Sequence, residues 1–434
     1  MKRFLLLIII AALLLSGCTF YLTSGQSTVR MITKQDMAED LYTMMENMYV
    51  HHPKFEEGEL HYSDVEDKVN EIINNLPDEM PVNLFFYYLS SVLELTNDPH
   101  SAMNVDFNER GQMIDVETVF TEGTIYVSAT QKNNKYFEVG DRIVKIGDYD
   151  YDNIIEKLNG VISNSNKEGI FRLSNQILRD KYFYEYIGAV DKKGKIKFTI
   201  EKVNGKTKTV NVKLSKMTKR YYIRFASSDE PHYNPYEEYY SEFDTDSSTA
   251  IAHINVCEYT DEFKNFMQDF YKTAKDESYK KIVIDLRNNL GGSIGFIYYI
   301  MMGVDADSFT YIDGITYNNA EKENEYISDT KMYILTYYGT GSASIVGSAI
   351  FKYNKFATIV GTYPGDQVDP YYFKSGELQA IQLENSNLTY SVADDKMDVQ
   401  CPSYDDLRPD VYIEPTRRSI IYGIEPSLQW VKVQ

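Results

Sequence analysis

From Thr249 onward the sequence alternates short apolar runs with longer stretches of helical spacing, and that rhythm constrains the fold before any motif is read. The runs "TAIAHINV" (249–256), "KIVIDL" (281–286), "KMYILT" (331–336) and "FATIVG" (356–361) have strand length and are apolar almost throughout. Strands buried on both faces of a parallel sheet have this character. Between the first two, Phe263, Phe266, Met267, Phe270 and Ala274 mark one helical face. "GGSIGFIYYIMM" opens another helix, and the apolar stretch after Ser342 a third. Strands separated regularly by helices predict an α/β core with a largely parallel sheet.

The residues ahead of this core read differently. Thr33 with Asp36 forms a capping box, and Met37, Leu41, Met44, Met45 and Met48 follow on one helical face. That methionine stripe reads as core packing. A second box, Ser63 with Glu66, introduces Val65, Val69, Ile72, Ile73 and Leu76, and a third apolar segment runs from Leu84 to Leu95. Together they predict an N-terminal helical domain over 33–110. Alternation then takes over: "VGDRIVKIGD" (139–148) reads as strand and turn. "KIKFTIEKVNGKTKTVNVKL" (195–214) reads as a hairpin about Asn204-Gly205, with Ile196, Phe198 and Ile200 facing Val210, Val212 and Leu214. The pattern between them, 151–190, is helical. A second domain over 111–217 and a core over 218–434 follow, and the sequence contains no repeats and no low-complexity tract.

At the N-terminus two positive charges precede an apolar run from Phe4 to Leu15, too short to span a bilayer comfortably and laid out as a signal peptide, residues 1–17. The sequence Leu15-Ser16-Gly17-Cys18 resembles the lipobox of bacterial lipoproteins. That resemblance implies diacylglyceryl modification of Cys18, cleavage before it, and a polar linker over 18–32; an ordinary secretory signal is the alternative. The expected location is the cell envelope, lipid-anchored on the extracytoplasmic side of a membrane. Removal of Lys2 and Arg3 with the signal takes the net charge from −20 to −22. A body this acidic repels phosphate backbones, which argues against a nucleic-acid partner. Cys257 and Cys401 are the remaining cysteines; they either pair or stay free. The six histidines include no helical i,i+4 pair, and no spacing resembles a zinc site.

Ligands of open α/β sheets sit beyond the carboxyl ends of the strands. Two loops there stand out. "RNNLGGS" follows the 281–286 run, and its Gly291 and Gly292 let backbone approach a ligand, with amides at a helix N-terminus. "YYGTGSAS" follows the 331–336 run and puts Ser342 at a helix start. Backbone amides in such places can stabilise an oxyanion. The plainer readings are a tight turn for the glycines and an N-cap for Ser342. As a nucleophile Ser342 needs a base, and His100, after Asp98-Pro99, is the best candidate by type although it also suits a solvated turn.

"KKIVIDLRNNLGGS", "GTGSAS" ahead of a helix, "IVGT" and "RPDVYIEP" occur here in the order that resembles the tail-specific (carboxy-terminal processing) serine protease family, and "LELTNDPHSAM" resembles the Asp-x-His-Ser/Thr signature of its tricorn-core and retinoid-binding-protein-like branch. "VGDRIVKIGD" resembles part of the PDZ-like domain these proteases carry. The resemblance implies a multi-domain α/β protein: a ClpP/crotonase-like core with an N-terminal helical domain and a PDZ-like domain enlarged by a helical insertion. It also implies Ser342 as nucleophile, His100 as base, and oxyanion amides from Gly291 or Gly292 with Ala343. The acid falls near Ser403, where Asp405 is named for the role beside Asp406.

The sequence departs from the family at several points. The lysine of the tail-specific branch is replaced by Gln367, the glutamate after Ser-Ala-Ser by Ile345, and the serine before the histidine by Pro99. Lys352, Lys355 and Lys374 are alternative bases. No clear carboxylate-binding loop is present in the PDZ-like segment. The expected activity is that of a membrane-anchored serine endopeptidase acting on peptides or unfolded protein segments, without metal or organic cofactor. The alternatives are a catalytically inactive peptide-binding scaffold of the same fold, or a small-molecule-binding lipoprotein with a large apolar pocket between domains.

Overall fold

A computed structural model describes residues 29–104, 112–130, 134–164, 166–216, 237–319, 330–365, 371–374, 379–396 and 407–434. Met1–Arg30 is a unit apart, of which Val29 and Arg30 are described, both exposed; everything below concerns the unit Met31–Gln434.

Pairing starts at Met31, inside the expected linker: Met31–Thr33 runs antiparallel to Glu79–Pro81 and buries Ile32. Thr33 then caps α1 (Lys34–His51) by accepting the Asp36 amide, as its position predicts. After α2 (Pro53–Glu56) comes α3 (Tyr62–Asn75), whose N-cap is His61; Ser63 lies within the helix, so the second predicted box does not form. With α4 (Val82–Leu93) these helices enclose Met37, Leu41, Met44, Val65, Val69, Phe85 and Leu89. Leu383, Tyr390 and Val392 enter the same core from far along the chain.

Five strands follow, β1 (Val116–Thr121), β2 (Thr124–Thr130), β3 (Arg142–Ile146), β4 (Lys195–Glu201) and β5 (Thr207–Lys213), hydrogen-bonded in sequence order as an antiparallel sheet. The hairpin is in register Ile196↔Val212 and Phe198↔Val210, with Ile200 opposite Lys208. Helices α5 (Tyr151–Asn159), α6 (Lys167–Ile177) and α7 (Lys181–Tyr186) fill the interval expected to be helical.

The core sheet runs in the order β6 (Tyr239–Asp244), β7 (Thr249–Ile254), β8 (Lys281–Asp285), β9 (Lys331–Thr336), β10 (Thr358–Gly361), β11 (Val411–Tyr412). All pairs are parallel except β6 with β7. The two-residue period sorts its side chains. Ala250, Ala252, Ile254, Ile282, Ile284 and Ile334 pack with α8 (Asp261–Asp276), α9 (Phe296–Met301) and α10 (Ala343–Tyr353). Their neighbours Ile251, Val283, Tyr333, Leu335 and Val360 point the other way, onto Leu428 and Val431 of the last helix, α12 (Pro426–Lys432), which follows α11 (Arg417–Tyr422). A sheet covered on both faces leaves the loops beyond its strand ends as the place for chemistry. Among the described residues no helix is long and apolar enough to cross a membrane.

Candidate active site

The loop from β9 to α10 is built around two polar side chains that are not Ser342. Thr340 Oγ1 accepts the Tyr337 amide at 3.1 Å and donates to Leu286 O at 2.8 Å, tying this loop to the one after β8. Ser344 Oγ accepts the Gly341 amide at 3.0 Å and lies 2.8 Å from Asn289 O. Ser342 itself occupies the N-cap position of α10 but makes no capping hydrogen bond. Its backbone, at φ 49° and ψ −123°, is in a region that costs a non-glycine residue about 1–3 kcal/mol. A serine that bears strain and does not cap has its hydroxyl committed elsewhere, and Ser342 Oγ lies 3.3 Å from His100 Nε2. The cap reading of Ser342 is thereby replaced by the pairing with His100, across 242 residues of sequence.

His100 is held from several sides. Asn97, in the left-handed region, ends the short 3₁₀ turn after α4. Ser163 Oγ accepts the Asp98 amide at 3.0 Å and donates to Asp98 O at 2.7 Å. Ala102 and Ser391 exchange backbone hydrogen bonds at 3.1 and 2.9 Å, and Ser391 Oγ donates to His100 O. The edge of Phe373 packs on the His100 ring with centroids 5.9 Å apart.

The carboxylate beside His100 is Asp98, fully buried. Its Oδ1 accepts the His100 amide at 2.9 Å and lies 3.5 Å from His100 Nδ1. Its Oδ2 accepts Ser101 Oγ at 2.6 Å and faces His52 Nε2 at 3.2 Å. Burial disfavours the charged carboxylate, but the hydrogen bonds of His100 and His52 and the charge on His100 outweigh it, so Asp98 is held well below the usual carboxylate range.

The glycine loop after β8 departs from the expected helix N-terminus. α9 begins only at Phe296, and Gly292 instead bridges to Cys257 in strand fashion: the Cys257 amide donates to Gly291 O at 2.9 Å and the Ser293 amide to Cys257 O at 2.8 Å. Gly291, at φ +113°, lies against the nucleophile, where an added Cβ would stand 2.6 Å from Ser342 Cβ. Its amide is already used, donating to Asn289 Oδ1 at 2.8 Å. The fully buried Asn289 also donates through Nδ2 to Ile254 O, while its own carbonyl receives the Gly341 amide at 2.9 Å. Asn289 therefore locks the glycine loop to the serine loop. Among the described residues the amides of Gly292 and Ala343 have no hydrogen-bond partner.

The structure brings Ser342, His100, Gly291, Gly292 and Ala343 together. Cys18, Cys401, Gln367, Ser403, Asp405 and Asp406 lie outside the described residues. Cys257 is a buried free thiol. Lys352 pairs with Asp410 at 3.8 Å, and Lys355 and Lys374 are exposed; the group found at the Ser342 hydroxyl is His100. Asp98, His52 and Asn289 are participants that sequence reasoning missed; only the Asp-x-His-Ser pattern hinted at the first. Among the described residues no group of three or more His, Cys, Asp or Glu side chains is placed to hold a metal ion. A cavity of about 570 Å³ borders Asp285, Arg287 and Asn288 and the Tyr337–Gly339 stretch, and its walls mix charged side chains such as Arg172 and Glu425 with apolar and aromatic ones such as Phe171 and Leu428.

Residues 250–369 match the family described as Peptidase family S41. No curated protein matches the sequence. Among solved structures, mature CPAF is similar at a TM-score of 0.61 and 12% identity, with 92% of this chain and 96% of that one covered. Mature CPAF complexed with lactacystin gives the same score and identity over 92% and 97%. The photosystem II D1 C-terminal processing protease is similar at a TM-score of 0.43 and 11% identity over 87% and 93%. At 12% identity the likeness to CPAF is one of fold.

Proposed function

We propose that this chain, whose residues 250–369 match Peptidase family S41, is a tail-specific serine endopeptidase for peptides or unfolded protein segments, working outside the cytoplasm from a lipid anchor at Cys18. Ser342 Oγ attacks the scissile carbonyl carbon while His100 Nε2 takes the hydroxyl proton. The carbonyl oxygen becomes an oxyanion, received by the amides of Gly292 and Ala343, since the Gly291 amide is held by Asn289. His100 then returns the proton to the leaving amine, and water releases the acyl group by the same path in reverse. Asp98 keeps the His100 ring oriented and favours its cationic form.

The observation that carries this reading is the 3.3 Å approach of His100 Nε2 to a strained serine that caps nothing. Catalytic hydrogen bonds in substrate-free enzymes are often this long and tighten on binding. The anchor rests on the sequence Leu15-Ser16-Gly17-Cys18. The test is mass spectrometry of an unfolded protein incubated with the full chain in detergent, beside Ser342→Ala and His100→Ala. Fragments from the wild type and from neither variant are expected. Equal fragmentation by all three would refute the assignment, and an intact substrate with all three would favour the peptide-binding scaffold.

A further inference from the structure

Asp98, the carboxylate beside His100, has a partner that the reaction as described does not use. His52 stands where α1 ends and α2 begins, with its side chain wholly buried. The ring's hydrogen-bonding state is fixed by what it touches. Nδ1 accepts the Lys54 amide at 3.2 Å, so in the neutral ring the hydrogen is on Nε2. Nε2 faces Asp98 Oδ2 at 3.2 Å. The Tyr371 ring packs on the imidazole with centroids 5.2 Å apart, which sets its plane.

We propose that His52 is a positioning residue of the catalytic constellation, holding the Asp98 carboxylate turned toward His100. An ionised carboxylate offers about four lone-pair sites. Here three donors meet them, the His100 amide at Oδ1 and the Ser101 hydroxyl and His52 Nε2 at Oδ2, while His100 Nδ1 stands 3.5 Å from Oδ1. All but His52 belong to the four-residue turn Asp98–Ser101 itself; among the described residues His52 alone reaches the carboxylate from another part of the fold, 46 residues upstream. Ser163, Ser391 and Ala393 hold the turn through its backbone and the Ser101 hydroxyl. His52 adds a donor that bears on the carboxylate itself from outside the turn. Without its N–H, one lone pair of a fully buried carboxylate is left unmet, which favours protonation of Asp98 or its rotation away from His100.

This inference rests on the reading of His100 as general base, and its test separates the two. Turnover of a peptide substrate is measured for the full chain and for His52→Phe, His52→Gln and His100→Ala. His52→Phe keeps the ring volume without the donor, and kcat is expected to fall about tenfold or more with KM unchanged, the scale typical of orienting partners. His52→Gln, whose amide can donate the same bond, is expected to recover most of that loss. A purely structural role would lower the folded fraction, counted by titration with a serine-reactive fluorophosphonate, and leave kcat per titrated site intact. Wild-type kcat per site in His52→Phe, or equal losses in the Phe and Gln variants, overturns the proposal while an inactive His100→Ala leaves the base assignment standing. An active His100→Ala refutes both. Should His52→Phe not fold, His52→Asn takes its place, since its shorter amide does not reach Asp98, and the same outcomes decide.

Discussion

Replacing Gly291 by alanine tests the geometry of the site through a single methyl group. The new Cβ would stand 2.6 Å from Ser342 Cβ, 3.0 Å from Gly341 O and 3.2 Å from the Ala343 amide nitrogen, whereas ordinary contacts begin at 3.4 Å. Ser342 Cβ is bonded directly to backbone and has no flexible end to yield, so relief requires the nucleophile or the glycine loop to move by about 0.8 Å. A displacement of that order at reacting atoms costs about a hundredfold in rate, equivalent to about 2.7 kcal/mol of transition-state stabilisation. The substitution also places a side chain at φ +113°, with a folding cost of about 1–2 kcal/mol that has nothing to do with the serine. Gly123 in the β1–β2 turn isolates that second cost: it has φ +66° and nothing within 4 Å of an added Cβ. Both variants are expected to unfold at lower temperature than the wild type, while kcat/KM on a peptide substrate falls about a hundredfold in Gly291→Ala alone. Wild-type kcat/KM in Gly291→Ala, or a loss matched by Gly123→Ala, would refute the placement of this loop against the nucleophile.

Two further outcomes follow from the same structure. Burial pulls the His253 pKa down, but hydrogen bonds and charge from Asp285 and then Glu242 outweigh it and raise it from 6.5 to about 9. A raised folded value means stabilisation that is complete below the unfolded pKa of about 6.5 and lost as pH rises through about 9, with a size of about 3 kcal/mol. Urea unfolding should show the wild type losing this amount between those pH values and His253→Gln not losing it; parallel pH profiles would contradict the assignment. For the anchor, Cys18→Ser is expected to move the chain from the membrane fraction of the producing bacterium to the soluble fraction or to leave it as an uncleaved precursor, read by fractionation and intact mass. Unchanged fractionation with an unmodified N-terminus would count against lipidation.

The core strands were legible in sequence because each is apolar over nearly its whole length, and only a strand covered on both faces has that composition. α8 was equally plain, since Phe263, Met267, Phe270 and Ala274 recur at helical spacing and all are buried. Helix starts were less legible. Ser63 with Glu66 has the form of a capping box, yet the helix begins a residue earlier at Tyr62, where packing of α3 outweighs local capping preference. Gly291 and Gly292 looked like a helix entrance because glycine suits both a tight turn and an extended bridge; the Cys257 backbone selects the bridge. The role of Ser342 turned on a backbone angle and on the partner of one hydroxyl, neither of which is a property of residue type. Asp98 and His52 escaped notice for a related reason. Asp98 reads as a turn residue before Pro99, and His52 as half of an unpromising histidine pair, until folding closes the 46 residues between them.

How His100 and Ser342, 242 residues apart, hold a separation of 3.3 Å is a question about what fixes the His100 loop. Productive geometry tolerates errors of about 0.5 Å, so neither side can be mobile. The answer lies in residues 381–393, which follow β10 in the chain but pack among the N-terminal helices. Leu383, Tyr390 and Val392 are buried with Met37, Met44 and Phe85. Asp40, itself buried, accepts the amides of Asn385 and Ser386 at 3.1 and 2.8 Å. Thr389–Tyr390 pairs with Met103–Asn104, immediately after the histidine loop, and the Ala393 amide donates to Ser101 Oγ at 3.0 Å. The loop that carries His100 is thus bonded to a segment that lies beyond Ser342 in the chain. Each such bond contributes only about 1 kcal/mol. Their arrangement matters more than their sum: the N-terminal helices, residues 381–393 and the His100 loop are joined at several points, so the His100 loop cannot shift alone, and the 3.3 Å approach to Ser342 Oγ leaves only a few tenths of an ångström for substrate binding to supply.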